Sequence, residues 1–303
     1  MRNEKPALLS LIAVLGFLLA VDSSCERRQN KGEEENGQAV VDRLAKNDTV
    51  MGAMQDDWLS HHPEKGQSFE QYRKSIHRLP NEKEGKIYVQ PIGRFSTVQN
   101  QVIVQTTHYL TIFFDRETVI LPAVDDEKIP NLIRRYAGTN EEQLKTGPML
   151  DFLSARLPKD GVTLMAITSK DLYPGDNWNY VFGQALPKSR VGVSSLFRFS
   201  KSLLDSREYR VCLNHMIKTS SHEIGHVFSC SHCTHASCLM NGSNSLLEAE
   251  LRPNRLCSEC LKKIQWRLQF DVRRRAKGLV NYFTSHAMRK DAIRAYNDLK
   301  ALQ

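Results

Sequence analysis

Residues Ser221–Cys233 read SHEIGHVFSCSHC, and the histidines and glutamate within them are spaced to do chemistry together. His222 and His226 are four residues apart, so a helix projects both imidazoles from one face, one turn apart, where both reach a single ion. Glu223 is offset by one position, which sets its carboxylate beside such an ion, free to take a proton from water. His232 joins them on one condition. An unbroken helix would carry it about 15 Å beyond His222, so the chain has to reverse after Phe228. Ser229, Cys230 and Ser231 are poor helix continuers and permit that turn. Three neutral imidazoles with an open fourth position describe catalytic zinc, which acidifies a water and polarises a carbonyl while Glu223 takes the proton.

The cysteines give an independent signal. Of seven, Cys233, Cys238, Cys257 and Cys260 fall as C-x4-C, 18 intervening residues and C-x2-C, the layout of a closed, structural four-thiolate zinc site. Cys257 and Cys260 do not follow a strand of a βαβ unit, which argues against a redox pair. Cys233 directly follows His232, so this second ion would brace the turn that delivers the third imidazole. Cys212 and Cys230 read as small buried hydrophobes. Of the remaining histidines (His61, His62, His77, His108, His215, His235 and His286), His215 is expected as a hydrogen-bonded neighbour of the site, and the complete cysteine set displaces His235.

From His222 to Cys260 the chain resembles the archaemetzincin signature, HExxHxxGxxHC followed by CxM inside the C-x4-C frame (Cys238-Leu239-Met240) and a distal CxxC. The similarity extends over about residues 57 to 275, through WLSHHPE near Trp58, IYVQPIG near Ile87 and DLYPGDNWNYVFGQA before the active helix. The resemblance implies a metzincin-like zinc metallopeptidase with two zinc ions. His222, His226 and His232 would bind the catalytic ion, Glu223 would be the general base, and Met240 would be the methionine of the turn beneath the metal. Cys233, Cys238, Cys257 and Cys260 would hold the structural ion. Composition alone makes Met240 a gap-filling core residue. The family glycine is Ser229 here, and a serine at positive φ carries a strain of roughly 1 kcal/mol. Eukaryotic relatives point to aminopeptidase-like cleavage, with endopeptidase action left open. The competing readings are a catalytically silent, zinc-stabilised peptide-binding protein and a nucleic-acid-binding zinc module. No residue announces a specificity pocket.

Several elements must position these groups. Ser68–Ile76 reads as a short helix with a serine cap, Lys86–Pro91 as a strand, Ser96–Phe114 as a helix and Thr118–Leu121 as a strand. Glu141–Leu157 has apolar residues at 144, 149, 150, 153 and 157, spaced for a helix, and Val162–Ile167 is a buried strand. Alternating strand and helix predict an α/β fold with a twisted mixed sheet and crossover helices, which the resemblance implies is α+β and metzincin-like. Asn179–Ala185 and Val191–Ser195 form a hairpin through Pro187–Arg190, whose edge, by the resemblance, holds the peptide as an added strand. Ala287–Leu302 places Met288, Ala292, Ala295, Tyr296 and Leu299 on a docked amphipathic helix.

The 303 residues are 41% hydrophobic and 25% charged, which excludes wholesale disorder and a multi-span membrane protein. The net charge of +8 is confined to residues 252–303, which carry +9 and read as solvated helix faces. Without an aromatic-basic repeat or a glycine-rich phosphate loop, no nucleic-acid partner is expected, and the partner is a peptide or protein substrate. The apolar run 7–21 would rise about 22 Å as a helix, short of the roughly 30 Å hydrocarbon core. It therefore reads as a signal peptide cleaved after Ser23, with lipidation at Cys25 or an uncleaved anchor as alternatives. The chain is thus expected to be exported or membrane-anchored, touching membrane through this segment alone, and cytoplasmic if the segment is not a signal. The expected organisation is a signal or anchor over 1–24, a flexible charged tether over 25–48, a metzincin-like subdomain with the active-site helix over 49–232, and a smaller cysteine-rich zinc-binding subdomain over 233–303.

Overall fold

A computed structural model describes residues 38–51, 57–75, 85–138, 141–199 and 206–303. The expected signal segment, Cys25 and His77 lie outside the described residues. Among those described, no helix is long and apolar enough to cross a membrane.

The tether expected over 25–48 is folded in its last part. Residues 38–45 form helix α1, because Val40, Val41 and Leu44 are spaced to share a face, and Val41 and Leu44 are buried. Beyond it the Asp48 carboxylate accepts from Ser258 N and Oγ and pairs with Arg255 at 2.6 Å.

In chain order follow α2 (Trp58–His61), α3 (Phe69–Ser75), β1 (Lys86–Ile92), α4 (Thr97–Phe114), β2 (Thr118–Ile120), β3 (Arg134–Ala137), β4 (Glu141–Lys145), α5 (Thr146–Ser154) and β5 (Gly161–Thr168). Then come β6 (Asp171–Tyr173), β7 (Gly183–Leu186), β8 (Val191–Ser195), α6 (Ser206–Val227), α7 (Leu246–Leu251), α8 (Ser258–Leu268), α9 (Val272–Ser285) and α10 (Arg289–Ala301). The main sheet has five strands in the order β2-β1-β5-β8-β7. Its first four strands are parallel, and β7 pairs antiparallel with β8 at the edge, so the mixed sheet and the hairpin are as expected.

Strands β1 and β5 are buried almost throughout because helices cover both faces. Ile87, Val89, Met165 and Ile167 face the core that contains α4 and α6, while Tyr88, Leu164 and Ala166 face the α5 side. Helix α4 is rich in β-branched residues yet helical. A capping box between Ser96 and Gln99 starts it, and burial of Val102, Ile103, Leu110, Phe113 and Phe114 outweighs local propensity.

Two expectations need correction. Residues 141–145 are strand β4, not the first turn of a helix, and α5 starts at Thr146. Pro148 explains the boundary, since proline is tolerated in a first helical turn and not in the interior that a helix from 141 would require. Strand β4 instead pairs with β3 and β6 in a second, three-stranded sheet. The expected boundary at 232/233 does not divide the core. One cluster of buried side chains joins Phe113 of α4 and Met216 of α6 to Cys257, Phe283 and Leu302.

Candidate active site

Helix α6 lies against β7 and β8 and presents His222, Glu223 and His226 in its final two turns. It ends as the sequence requires. Ser229 N donates to His226 O at 2.8 Å and Cys230 N to Gly225 O at 3.0 Å, the paired bonds of a Schellman turn, with Ser229 at φ 69° in the left-handed position that favours glycine. The serine is held there on several sides. Its Oγ accepts from Arg267 Nη1 at 3.0 Å, its carbonyl accepts from Gln67 Nε2 at 3.1 Å, and Tyr72 Oη donates to the preceding Phe228 carbonyl at 2.9 Å.

The reversal brings His232 back to the other two histidines. One ligand nitrogen from each of His222, His226 and His232 lies within 4.8 Å of the others. Each Nδ1 has an acceptor: Leu239 O at 2.8 Å for His222, Cys230 O at 2.7 Å for His226, and Glu64 Oε1 at 2.9 Å for His232. Such partners place the proton on Nδ1 and leave Nε2 as the lone-pair donor. The Nε2 atoms of His222 and His226 then face each other as lone pairs 3.0 Å apart, an arrangement that calls for a cation between them. Burial keeps these rings neutral, holding His222 well below its ordinary pKa and His226 down to about 4.

Glu223 is buried beside them, and burial pushes its carboxyl up to about 8. It fits because β7 carries a glycine opposite: a Cβ on Gly183 would stand 2.9 Å from Glu223 Oε1. Gly225 does the same for the other side of the helix, since a Cβ there would overlap the Sδ of Met240. Met240 is fully buried and packs against Gly225, in the turn between His222 and His226.

Cys233, Cys238, Cys257 and Cys260 converge as a second cluster, all buried, with their Sγ atoms within 4.8 Å of one another. Hydrogen bonds from Cys238, Cys257 and Cys260 hold the Cys233 thiol far below its usual range, while burial pushes Cys238 up. Four thiols so placed ionise together only around a cation, and the closed thiolate set fits zinc. Asn241 clamps the loop between the first pair: its Oδ1 accepts from Cys238 N at 2.7 Å and its Nδ2 donates to Cys233 O at 2.7 Å.

The other expected residues are elsewhere. His215 is buried and stacked on Phe199 with ring centroids 4.4 Å apart, outside the ligand set. His235 is half exposed, 3.7 Å from Asp48. Cys212 and Cys230 are buried thiols, each pushed up to about 12 by burial. Sequence reasoning missed Glu64, Asn241 and Gly183. Glu64 lies within the WLSHHPE stretch, where a carboxylate six residues after Trp58 was a visible signal: its Oε1 accepts from Trp58 Nε1 at 3.0 Å as well as from His232.

The histidine cluster lines a cleft of about 1670 Å³, floored by α6 and edged by β7. Trp58, His62 and Trp178 stack in a row along it, with centroids 4.0 and 6.3 Å apart, beside His232. A histidine-bearing helix beside an edge strand, its reversal and a methionine buried against its last turns define the class of zinc-dependent metallopeptidases. The comparisons narrow this. The model of Peptidase family M54 matches residues 150–266. Archaemetzincin-2 of Rattus norvegicus is 34% identical over 259 residues, covering 75% of this chain and 72% of the relative. Archaemetzincin-1 of Homo sapiens is 30% identical over 257 residues, covering 75% of this chain and 52% of the relative. The solved archaemetzincin of Archaeoglobus fulgidus aligns at 29% identity and a TM-score of 0.46, over 59% of this chain and 99% of that one. The chain belongs to the archaemetzincin family and is a zinc metallopeptidase, a hydrolase.

Proposed function

We propose that the chain hydrolyses peptide bonds at one zinc held by His222, His226 and His232, and that Cys233, Cys238, Cys257 and Cys260 hold a second, structural zinc. The observation that carries this reading is the convergence of three Nε2 atoms whose Nδ1 partners are all in place. When bound there, zinc supplies Lewis-acid activation of water and of the scissile carbonyl. Glu223, buried beside the ligands, accepts the water's proton and returns it to the departing amine. The free edge of β7 takes the substrate backbone as an added strand, which lays the scissile bond over Glu223 where Gly183 leaves room. Aminopeptidase-like cleavage is the finer reading. The row of stacked rings beside His232 favours a substrate end there over a continuing chain.

Metal analysis joined to peptide hydrolysis tests the assignment. The parent should hold two zinc ions per chain, and Glu223→Gln should keep both while losing at least about a hundredfold in kcat. His232→Ala should lose one ion. Peptides with free and acetylated amino termini separate exopeptidase from endopeptidase action. Undiminished hydrolysis by Glu223→Gln would remove it from the role of base.

A further inference from the structure

Helix α6 carries a charged side chain for which the proposed hydrolysis has no use. Lys218 precedes His222 by four residues on the same helical face, about 6 Å along the axis, and lines the cleft. It is 7% exposed. Its Nζ donates one hydrogen bond, at 2.7 Å to Ala249 O near the end of α7, and among the described residues it forms no ion pair. A neutral donor would satisfy that carbonyl without the desolvation cost of a buried ammonium, and two of the three N–H donors of Lys218 remain unspent.

The surroundings do not supply a counter-ion. Asp291 and Glu250 attract Lys218 while Arg294 and Arg252 repel it, and the two effects oppose each other. Asp291 is committed to Asn214, Asn254 and Arg294, and Glu250 is half exposed and nearest His215. The two carboxylates that line the cleft are Glu64, bound to His232 and Trp58, and Glu223. Arg252, which lines the same cleft, pairs with Glu248 at 2.6 Å, yet its buried Nε lacks a partner. Burial draws Lys218 down to about 8, which leaves it a cation at neutral pH.

We propose that Lys218, backed by Arg252, forms a subsite for a carboxylate of the substrate, one turn of α6 to the amino-terminal side of His222. The subsite rests on the peptidase reading above. An extended peptide advances about 3.3 Å per residue, so the 6 Å offset reaches an acidic side chain flanking the scissile bond or the free carboxyl terminus of a short leaving fragment.

Two peptide pairs test it on the full-length, zinc-loaded protein: Glu against Gln next to the cleaved bond, and free acid against carboxy-terminal amide. The carboxylate-bearing member should have a kcat/KM roughly tenfold higher, and the preference should collapse in Lys218→Met and in Lys218→Gln, which keeps a donor for Ala249 O. A response to the Glu/Gln pair assigns the subsite to a side chain, and a response to the acid/amide pair assigns it to the terminus. Equal rates within both pairs, or a preference that survives both substitutions, overturns the subsite. Binding of the same labelled peptides to zinc-loaded Glu223→Gln separates this from the parent reading. Lys218-dependent binding without cleavage by the parent sustains the subsite and sinks the peptidase. Cleavage without carboxylate preference does the reverse.

Discussion

At the scale of single residues, the site depends on what sits behind each imidazole. His222 and His226 lean on carbonyls, but His232 leans on the Glu64 carboxylate, which fixes its ring and makes its Nε2 more basic. Removing such a partner costs about 10- to 100-fold in metal affinity, so Glu64→Ala should weaken zinc at the histidine site by that factor and leave the cysteine site unchanged. Glu64→Gln, which keeps an acceptor oxygen, should lose less. Chelator-competition titration reads both, and undiminished affinity in Glu64→Ala would remove the positioning role. The two convergent groups, three histidines and four cysteines, were legible in the sequence because helix periodicity and C-x2-C spacing are local. Glu64 was not, because its contact with His232 spans 168 residues. The carbonyls of Leu239 and Cys230 could not be read either, since a backbone acceptor leaves no mark on residue type.

Among the elements, the loop from Cys233 to Asn241 serves both clusters at once. Cys233 and Cys238 point into the thiol set, Leu239 O holds His222, and Met240 fills the space left by Gly225. Opening the cysteine cluster should therefore loosen the carbonyl that His222 leans on. Cys257→Ser, at the amino-terminal cap of α8 and remote from the histidines in sequence, should lose one zinc and weaken the remaining one several-fold, and binding linkage requires the converse coupling of equal size. Equilibrium titrations of the two sites in parent and variant measure it, and an unaltered histidine site would mean that the loop holds its shape without the second ion. The reversal after Phe228 and the β7–β8 hairpin were legible from breaker residues and turn length. The β3–β4–β6 sheet was not. EEQLK in β4 has neither β-branched residues nor alternating polarity, and its parallel partner Asp171–Tyr173 enters only after α5 and β5.

For the whole molecule, what matters is that helix, sheet and cysteine-rich segment share one core, so a group on the buried face of α6 acts on the stability of all of it. Composition could not show this, because the boundary expected at 232/233 follows a change in motif and not a break in packing. His215 is such a group. Burial, with Lys218 nearby, pulls its pKa down to about 3 from the ordinary 6.5, and the 3.5 Å approach of half-exposed Glu250 does not restore the charge. The folded state thus refuses a proton that the unfolded chain accepts. The associated stability is fully present above pH 6.5 and is lost progressively as the pH falls towards 3, at up to about 1.4 kcal/mol per pH unit. His215→Phe, which retains a ring to stack on Phe199, should lose less stability than the parent between pH 7 and pH 5. Zinc release in acid affects both proteins, so the difference between their denaturant midpoints at each pH isolates the histidine. Parallel loss of stability in the two would mean that His215 already takes up its proton in the folded state, and that this face of α6 is packed more loosely than the contact with Phe199 implies.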